Sequence, residues 1–373
     1  MGFGEAPPLM KYYLLCAGED SGDVLGESFV AAVVAAGFTA RGTGGCRMVS
    51  AGLDALADYE VLPVSGFGDV LPHYFRLRRV YAALRGALKS SDCAGLIAID
   101  YPGFNMRLCA LAKRLGKPVL YVAPPQVWAW KESRARKLQG IRLAVLFGFE
   151  RKRYEALGCH AEILKHPFLT SPSEPRGGEG IFLFPGSRRS QAVRNLKMYL
   201  RVVRDMPRPV RIFAARESLV KLFENVVRKA FGGTVPNGIA VEVSAKESLR
   251  RREIYGRASC ALAAPGTVTL ELALSGCPLV VATVPDRLTY ALGSLFVKAK
   301  YFAMPNILLG RAAVREFICA PWAVRRQEPQ VRQALEESLN KNATGLVAEL
   351  EQQLQGGKSA AELFGEFVEG DTH

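Results

Sequence analysis

Histidine is scarce in this chain: four in 373 residues, one of them the terminal His373. So few imidazoles leave a zinc site little to work with, and the cysteines do not make up the deficit. All eight are scattered, with no Cys-X-X-Cys pair, and several stand in apolar runs as buried thiols do. The expectation is a reducing, cytoplasmic compartment with no metal site and no cofactor. The opening residues lack a basic segment followed by an apolar core, so no secretory signal is expected. No uncharged apolar run reaches the roughly 18 residues that span a bilayer, which points to a soluble or peripheral protein. The first strand-like run is followed by neither a Gly-X-Gly-X-X-Gly fingerprint nor a Walker lysine, so neither nucleotide motif is supported there.

What is present favours a folded two-domain protein. Hydrophobic residues make up 49% and charged residues 23%, too apolar for a disordered chain. At this length one ordinary core is exceeded. The 49 basic residues outnumber 35 acidic ones for a net +14, which implies anionic partners: nucleic acid, phosphorylated metabolites or an anionic membrane surface. The plainer reading is an excess that solvates exposed faces. Nucleic acid is not expected as a partner, because the basic residues are spread along the chain without a recognition module.

Short apolar runs read as strands at 11–17, 95–100, 118–123 and 143–147, with helix-like segments at 24–36, 105–115 and 131–139 between them. A second series follows at 181–184, 211–215, 239–243, 260–264 and 279–283. Alternation of this kind predicts doubly wound parallel sheets. The Pro/Gly/Ser-rich stretch at 170–180 is the best linker. The expected organisation is two domains, at 1–172 and 173–325. Polar helices at 326–373 could return to the first domain. Two such halves make a cleft between sheet edges, where ligands bind.

The segment Ala263-Ala-Pro-Gly-Thr-Val-Thr-Leu-Glu271 breaks a strand and opens a helix, leaving N–H groups at a positive dipole end suited to a diphosphate. Glu271, one turn in, could accept hydrogen bonds from ribose hydroxyls. The bland alternative is a turn with a Thr cap and a surface Glu. Pro185-Gly-Ser187-Arg188 makes a second strand-to-turn junction, and an Arg there can neutralise a diphosphate leaving group. The loop Gly18-Glu19-Asp-Ser21-Gly22-Asp23 is acidic and would repel phosphate, so an acceptor or sugar hydroxyls are expected near Glu19, Ser21 and Gly22. Asp100 closes an apolar strand, where α/β enzymes place catalytic carboxylates; a lone Asp there is more often a helix cap. The aromatic loop around Trp128 can pack against a sugar or acyl face or plug a core. In Met304-Pro-Asn306-Ile-Leu-Leu-Gly-Arg311, Asn306 could read a nucleobase edge, with Arg311 beside it.

Together, AGEDSGD (17–23), IDYPGFN (99–105), VWAW (127–130), FPGSR (184–188), PGTVTLE (265–271), LTY (288–290) and MPNILLGR (304–311) resemble the lipid-A-disaccharide synthases in order and spacing, over roughly 11–320. The resemblance implies an α/β protein of two Rossmann-like domains facing across a cleft, the GT-B type. It also implies an inverting, metal-independent glycosyltransferase. That enzyme would move 2,3-diacylglucosamine from UDP-2,3-diacylglucosamine to 2,3-diacylglucosamine 1-phosphate, forming a β(1→6) disaccharide at the cytoplasmic face of the inner membrane. Asp100 then matches the family base and Arg188 its essential arginine. Gly266, Thr267 and Glu271 match the UDP-binding turn, and Asn306 its nucleotide-side loop. Departures from the family pattern are Gly103 for a second Asp, Pro265 for Ser, Gln191 for Glu, Ala312 for Glu and Lys165 for Gly before His-Pro. They leave an inactive homologue as one alternative. Another enzyme of the same fold is a second, such as a cell-wall UDP-N-acetylglucosamine transferase or a UDP-sugar 2-epimerase. A homodimer is left open. The segment 66–85, with aromatics beside Arg76, Arg78, Arg79 and Arg85, reads as an interfacial acyl-chain groove, or else as a core helix with a basic solvent face.

Overall fold

The computed structural model describes residues 11–57, 70–127, 132–169, 178–206, 209–245, 248–296, 300–339, 341 and 343–370. Trp128 and most of the expected linker lie outside the described residues. The chain divides into two compact units. Within the described residues the first unit runs to Lys165 and takes up the chain again from Gly356, while the second runs from His166 to Gln355.

The first unit is built on a seven-stranded parallel sheet of β1 (Tyr12–Ala17), β2 (Thr39–Thr43), β3 (Asp54–Ala55), β4 (Cys93–Ile99), β5 (Val119–Val122), β6 (Arg142–Val145) and β7 (Ala161–Ile163), in the order β3-β2-β1-β4-β5-β6-β7. Its central strands are apolar throughout because helices cover both faces. Leu14, Cys16, Leu96, Ala98 and Tyr121 point to one core, whereas Tyr13, Leu15, Ile97, Ile99 and Val122 point to the other, the alternation that a strand imposes. Helices Val70–Lys89 and Pro102–Arg114 pack on the first face; helices Asp20–Ala35 and Ala360–Glu369 cover the second. The last helix starts at a capping box, in which the Ser359 side chain accepts from the Glu362 N–H and the Glu362 carboxylate accepts from the Ser359 N–H.

The second unit carries a six-stranded parallel sheet of β8 (Ile181–Phe184), β9 (Val210–Ala214), β10 (Ile239–Val243), β11 (Cys260–Ala263), β12 (Leu279–Thr283) and β13 (Arg315–Ile318), in the order β10-β9-β8-β11-β12-β13. Leu183, Ile212, Leu262 and Val280 fill one face. On the other, Phe184 stacks on Phe213 at 4.8 Å and meets Tyr255 edge-on at 4.9 Å. In each sheet the connections reverse direction between two neighbouring strands, β1 and β4 in the first unit and β8 and β11 in the second. Outside the carboxyl ends of such strand pairs a doubly wound sheet opens a crevice.

Three local features differ from the sequence reading. The 131–139 segment is a 3-10 helix, Glu132–Leu138, rather than an α-helix. Its buried residues, Ala135 and Leu138, stand three apart, the 3-10 repeat. Gly42 and Thr43, outside every strand read from the sequence, belong to strand β2, where Gly42 has φ 151° and a side chain would collide with the Leu15 carbonyl. Edge strand β13 (Arg-Glu-Phe-Ile) is too polar to stand out as a buried run.

Candidate functional site

In the first unit the chain leaves β1 at Gly18 and leaves β4 at Asp100, side by side at the switch point. Asp100 and Tyr101 both have left-handed backbones, φ 50° and 47°, which is uncommon for residues with side chains. Conformations of this kind cost on the order of 1–3 kcal/mol each and persist only when the surroundings enforce them. Asn105 does so here: its buried amide donates to the carbonyls of Cys16, Ile99 and Asp100 at 3.0, 3.1 and 2.9 Å. The Tyr121 hydroxyl donates to the Asp100 carbonyl at 3.0 Å, and burial pushes that phenol well above its usual pKa, so it stays a donor. The Asp100 N–H donates to Val122 at 2.9 Å. With the backbone so fixed, the Ser21 hydroxyl donates to Asp100 Oδ2 at 2.9 Å.

The loop after β1 is packed for this approach. A Cβ on Gly18 would run into the Tyr101 ring, and one on Gly22 would lie 3.2 Å from the Ala17 Cβ and 3.6 Å from the Ile99 carbonyl. Gly22 is therefore a close-packing residue, and Ser21 is the side chain that the loop presents to Asp100. Glu19 is half-buried at the start of helix Asp20–Ala35, where its carbonyl accepts from the Asp23 N–H. Buried Asp23 accepts from the Arg47 and Met48 N–H groups at 3.2 and 3.1 Å and thereby caps the short helix Cys46–Ser50.

In the second unit β8 and β11 are paired, Phe184 opposite Ala263, so the turns that follow them are neighbours. Gly186 and Gly266 take φ 109° and 153°, and a Cβ on Gly186 would lie 3.5 Å from that of Ala264. Helix Thr267–Leu274 opens directly after Gly266, with Gly266 and Thr267 exposed at its start. Its first-turn N–H groups and positive dipole end make a mouth of the kind that suits an anion. Ser187 and Arg188 follow β8, and Arg188 is exposed at the head of helix Arg189–Val203. Asn195, fully buried, donates to the Pro185 carbonyl at 2.8 Å and accepts from the Val284 N–H at 2.8 Å, fastening this turn to the end of β12. Gln191 donates to the Thr283 hydroxyl at 3.0 Å. Arg216, at the end of β9, donates to the Ser187 carbonyl at 3.4 Å.

Glu271 lies one turn into helix Thr267–Leu274, on the face of Thr267, with its side chain 15% exposed. It forms a forked ion pair with Arg251. Asn306 requires a correction. It is wholly buried, donating to the Val314 carbonyl and accepting from the Val314 N–H, both at 2.8 Å. The amide expected to read a base edge instead closes the loop from Met304 to Val314. That loop reaches the mouth by its backbone, the Met304 N–H donating to the Thr269 hydroxyl at 3.2 Å. Arg311 is surface-exposed and paired with Glu349. Among the described residues, no three His, Cys, Asp or Glu side chains gather where they could share a metal ion.

The sequence matches the family described as Lipid-A-disaccharide synthetase over residues 13–363. A lipid-A-disaccharide synthase of Trichlorobacter lovleyi is 32% identical over 327 residues, covering 83% of this chain and 84% of its own length. One of Geobacter metallireducens is 31% identical over 381 residues, covering 95% and 96%. Among solved structures, Anabaena Alr3699/HepE in complex with UDP-glucose superposes with a TM-score of 0.52 at 11% identity, covering 98% of this chain and 100% of that one. The spinosyn rhamnosyltransferase SpnG, complexed with thymidine diphosphate, superposes with a TM-score of 0.55 at 11% identity, covering 95% and 99%. These two likenesses establish the fold.

Proposed function

Because the chain belongs to the lipid-A-disaccharide synthetase family and is a GT-B glycosyltransferase of lipid A biosynthesis, we propose how its residues share the reaction. The donor is UDP-2,3-diacylglucosamine and the acceptor 2,3-diacylglucosamine 1-phosphate. The observation that carries this reading is positional. Four of its motifs, at 17–23, 99–105, 184–188 and 265–271, stand at the carboxyl ends of the strand pairs β1/β4 and β8/β11, the two switch points.

Asp100 takes the proton of the acceptor 6-hydroxyl as that oxygen attacks the anomeric carbon. The new C–O bond forms as the bond from that carbon to the UDP phosphate oxygen breaks, in one inverting displacement. UDP departs with the electron pair. Arg188 and the N–H groups at Gly266 and Thr267 stabilise the charge building on the diphosphate, and Glu271 accepts from the ribose hydroxyls. Ser187 belongs to the same phosphate-side turn, Glu19 and Gly22 shape the acceptor side, and Trp128 is assigned to the acceptor on its motif alone.

The lipid substrates bring the enzyme to a membrane surface. No helix of the described residues is long and apolar enough to cross a membrane. Helix Val70–Lys89 supports a peripheral contact. Val80, Leu84 and Leu88 turn inward at four-residue intervals, leaving Phe75 at 69% exposure among exposed Arg76, Arg78, Arg79 and Arg85. We place it at the cytoplasmic side of the inner membrane.

The decisive experiment supplies both lipid substrates, the acceptor labelled, to wild type and to Asp100→Asn in the presence of EDTA. Wild type is expected to form the disaccharide 1-phosphate and UDP. The variant should lose roughly 10²–10⁴ in kcat, the range for a general base, with UDP affinity within about threefold of wild type. No disaccharide from wild type across several acyl lengths would sink the assigned substrates, and an active Asp100→Asn would sink the assigned base.

A further inference from the structure

We propose that Arg251 is a positioning residue for nucleotide recognition: its guanidinium holds the Glu271 carboxylate in the orientation that accepts the ribose hydroxyls of the donor. The inference rests on the ribose role proposed for Glu271. Arg251 belongs to helix Ser248–Tyr255 and is 4% exposed. Its Nε donates to Glu271 Oε2 at 3.0 Å and its Nη2 to Oε1 at 3.1 Å, the two-pronged geometry that fixes a carboxylate plane as well as its place. Its Nη1 donates to the Ala245 carbonyl at 3.3 Å. The guanidinium carbon lies 5.8 Å from the centroid of the Phe168 ring, itself buried. That segment is held in turn by Arg252, which donates to the Phe168 carbonyl at 3.2 Å and pairs with Glu351 at 2.7 Å. Arg251 is thus clamped on several sides, and Glu271 takes its orientation from it.

This arrangement differs from a plain structural ion pair in two respects. A buried Arg–Glu pair is poor evidence for stability, since well-packed apolar side chains of the same volume often serve as well or better. This pair stands instead on the face of Thr267, one turn from the mouth where the diphosphate is assigned. A bare carboxylate there would repel the diphosphate; the guanidinium offsets its charge while leaving a directional acceptor. A carboxylate has about four acceptor sites, more than an arginine fork consumes, so the pair and a ribose diol are compatible. Lysine in the same place would keep the charge and lose the fork.

The test measures the affinities of UDP and of 2′,3′-dideoxy-UDP, by titration calorimetry, for wild type, R251K, R251M and E271Q, alongside kcat at saturating donor. Wild type is expected to favour UDP by about tenfold or more, the scale of a hydrogen bond to a charged group. R251K and E271Q should each shrink that ratio to about threefold or less, with the kcat of R251K within about threefold of wild type. The double variant R251K/E271Q should lose no more discrimination than E271Q alone. R251K conserves charge and most of the volume, so it reads the fork even where R251M fails to fold. If E271Q loses the discrimination and R251K keeps it, the positioning role of Arg251 is wrong while Glu271 stands. If E271Q keeps the wild-type ratio, the ribose role of Glu271 falls, and the role of Arg251 falls with it.

Discussion

Ser21 and Asp100 stand 79 positions apart in sequence, and their hydrogen bond joins the loop after β1 to the end of β4. The hydroxyl can only donate to a carboxylate, so it favours one rotamer of Asp100 and aims the carboxylate proposed as the base. A hydrogen bond to a charged group contributes about 1.5–3 kcal/mol. Ser21→Ala should therefore lower kcat by roughly 10–100-fold, while the KM for the UDP-linked donor, assigned to the other unit, changes by less than about threefold. Steady-state kinetics with each substrate varied separates the two; a change confined to donor KM would show that Ser21 does not act through Asp100. How far single residues could be read beforehand follows the same logic. Asp100, Arg188 and the Pro-Gly-Thr turn stand out as candidates by type and by position after an apolar run. Asn105, Tyr121, Asn195 and Arg251 do not, because their importance lies in carbonyls and carboxylates that only the folded chain brings within reach. Asn306 misled for the same reason: an amide in a motif loop looks the same whether it faces a base or a buried backbone.

At the scale of elements, strands buried on both faces were legible because nothing but a core tolerates Leu-Ile-Ala-Ile or Ile-Phe-Leu-Phe. Short or edge strands such as Asp54–Ala55 and Arg315–Ile318 carry too few buried residues for that signal. The helix Val70–Lys89 shows what the sequence left ambiguous, since a core helix and an interfacial one share the same apolar spacing. In the structure Val80, Leu84 and Leu88 turn inward, and Phe75, Arg76, Arg78 and Arg79 are exposed, the surface proposed to meet the membrane. Each basic residue near an anionic leaflet contributes about 1 kcal/mol of attraction. The triple reversal R76E/R78E/R79E removes three such contributions and adds three repulsive charges. Binding to vesicles containing anionic lipid should weaken by roughly a hundredfold or more, with turnover of detergent-dispersed substrates within about threefold. Undiminished vesicle binding in a cosedimentation assay would remove this helix from the membrane contact.

At the scale of the whole molecule, chain order and structural units do not coincide. The first unit is completed only when the chain re-enters it at Gly356. The Lys358 N–H donates to the Ile163 carbonyl and the Lys358 carbonyl accepts from the Lys165 N–H, tying the returning chain to the end of β7. The helix Ala360–Glu369 then seals one face of the sheet. Phe364 meets Tyr13 edge-on at 4.9 Å, and Phe364, Phe367 and Leu363 are buried in the core that contains Leu15, Phe29 and Val33. A sequence pattern of polar helices near the end shows that helices are there but not which sheet they cover; the apolar stripe alone fits either. The consequence is that the carboxylate proposed as the base, at residue 100, depends on side chains more than 260 positions later. Phe364→Ala removes a fully buried ring and should destabilise the first unit by about 3–5 kcal/mol, because β1 cannot relax into the space while β2 and β4 hold it. The residues assigned to UDP all belong to the second unit. Thermal unfolding of Phe364→Ala should therefore show an early transition that UDP does not raise and a later one that it does, by RT ln(1 + [L]/Kd). A single transition, raised by UDP and shifted as a whole by the substitution, would mean instead that the two units unfold together and that the terminal helix secures both.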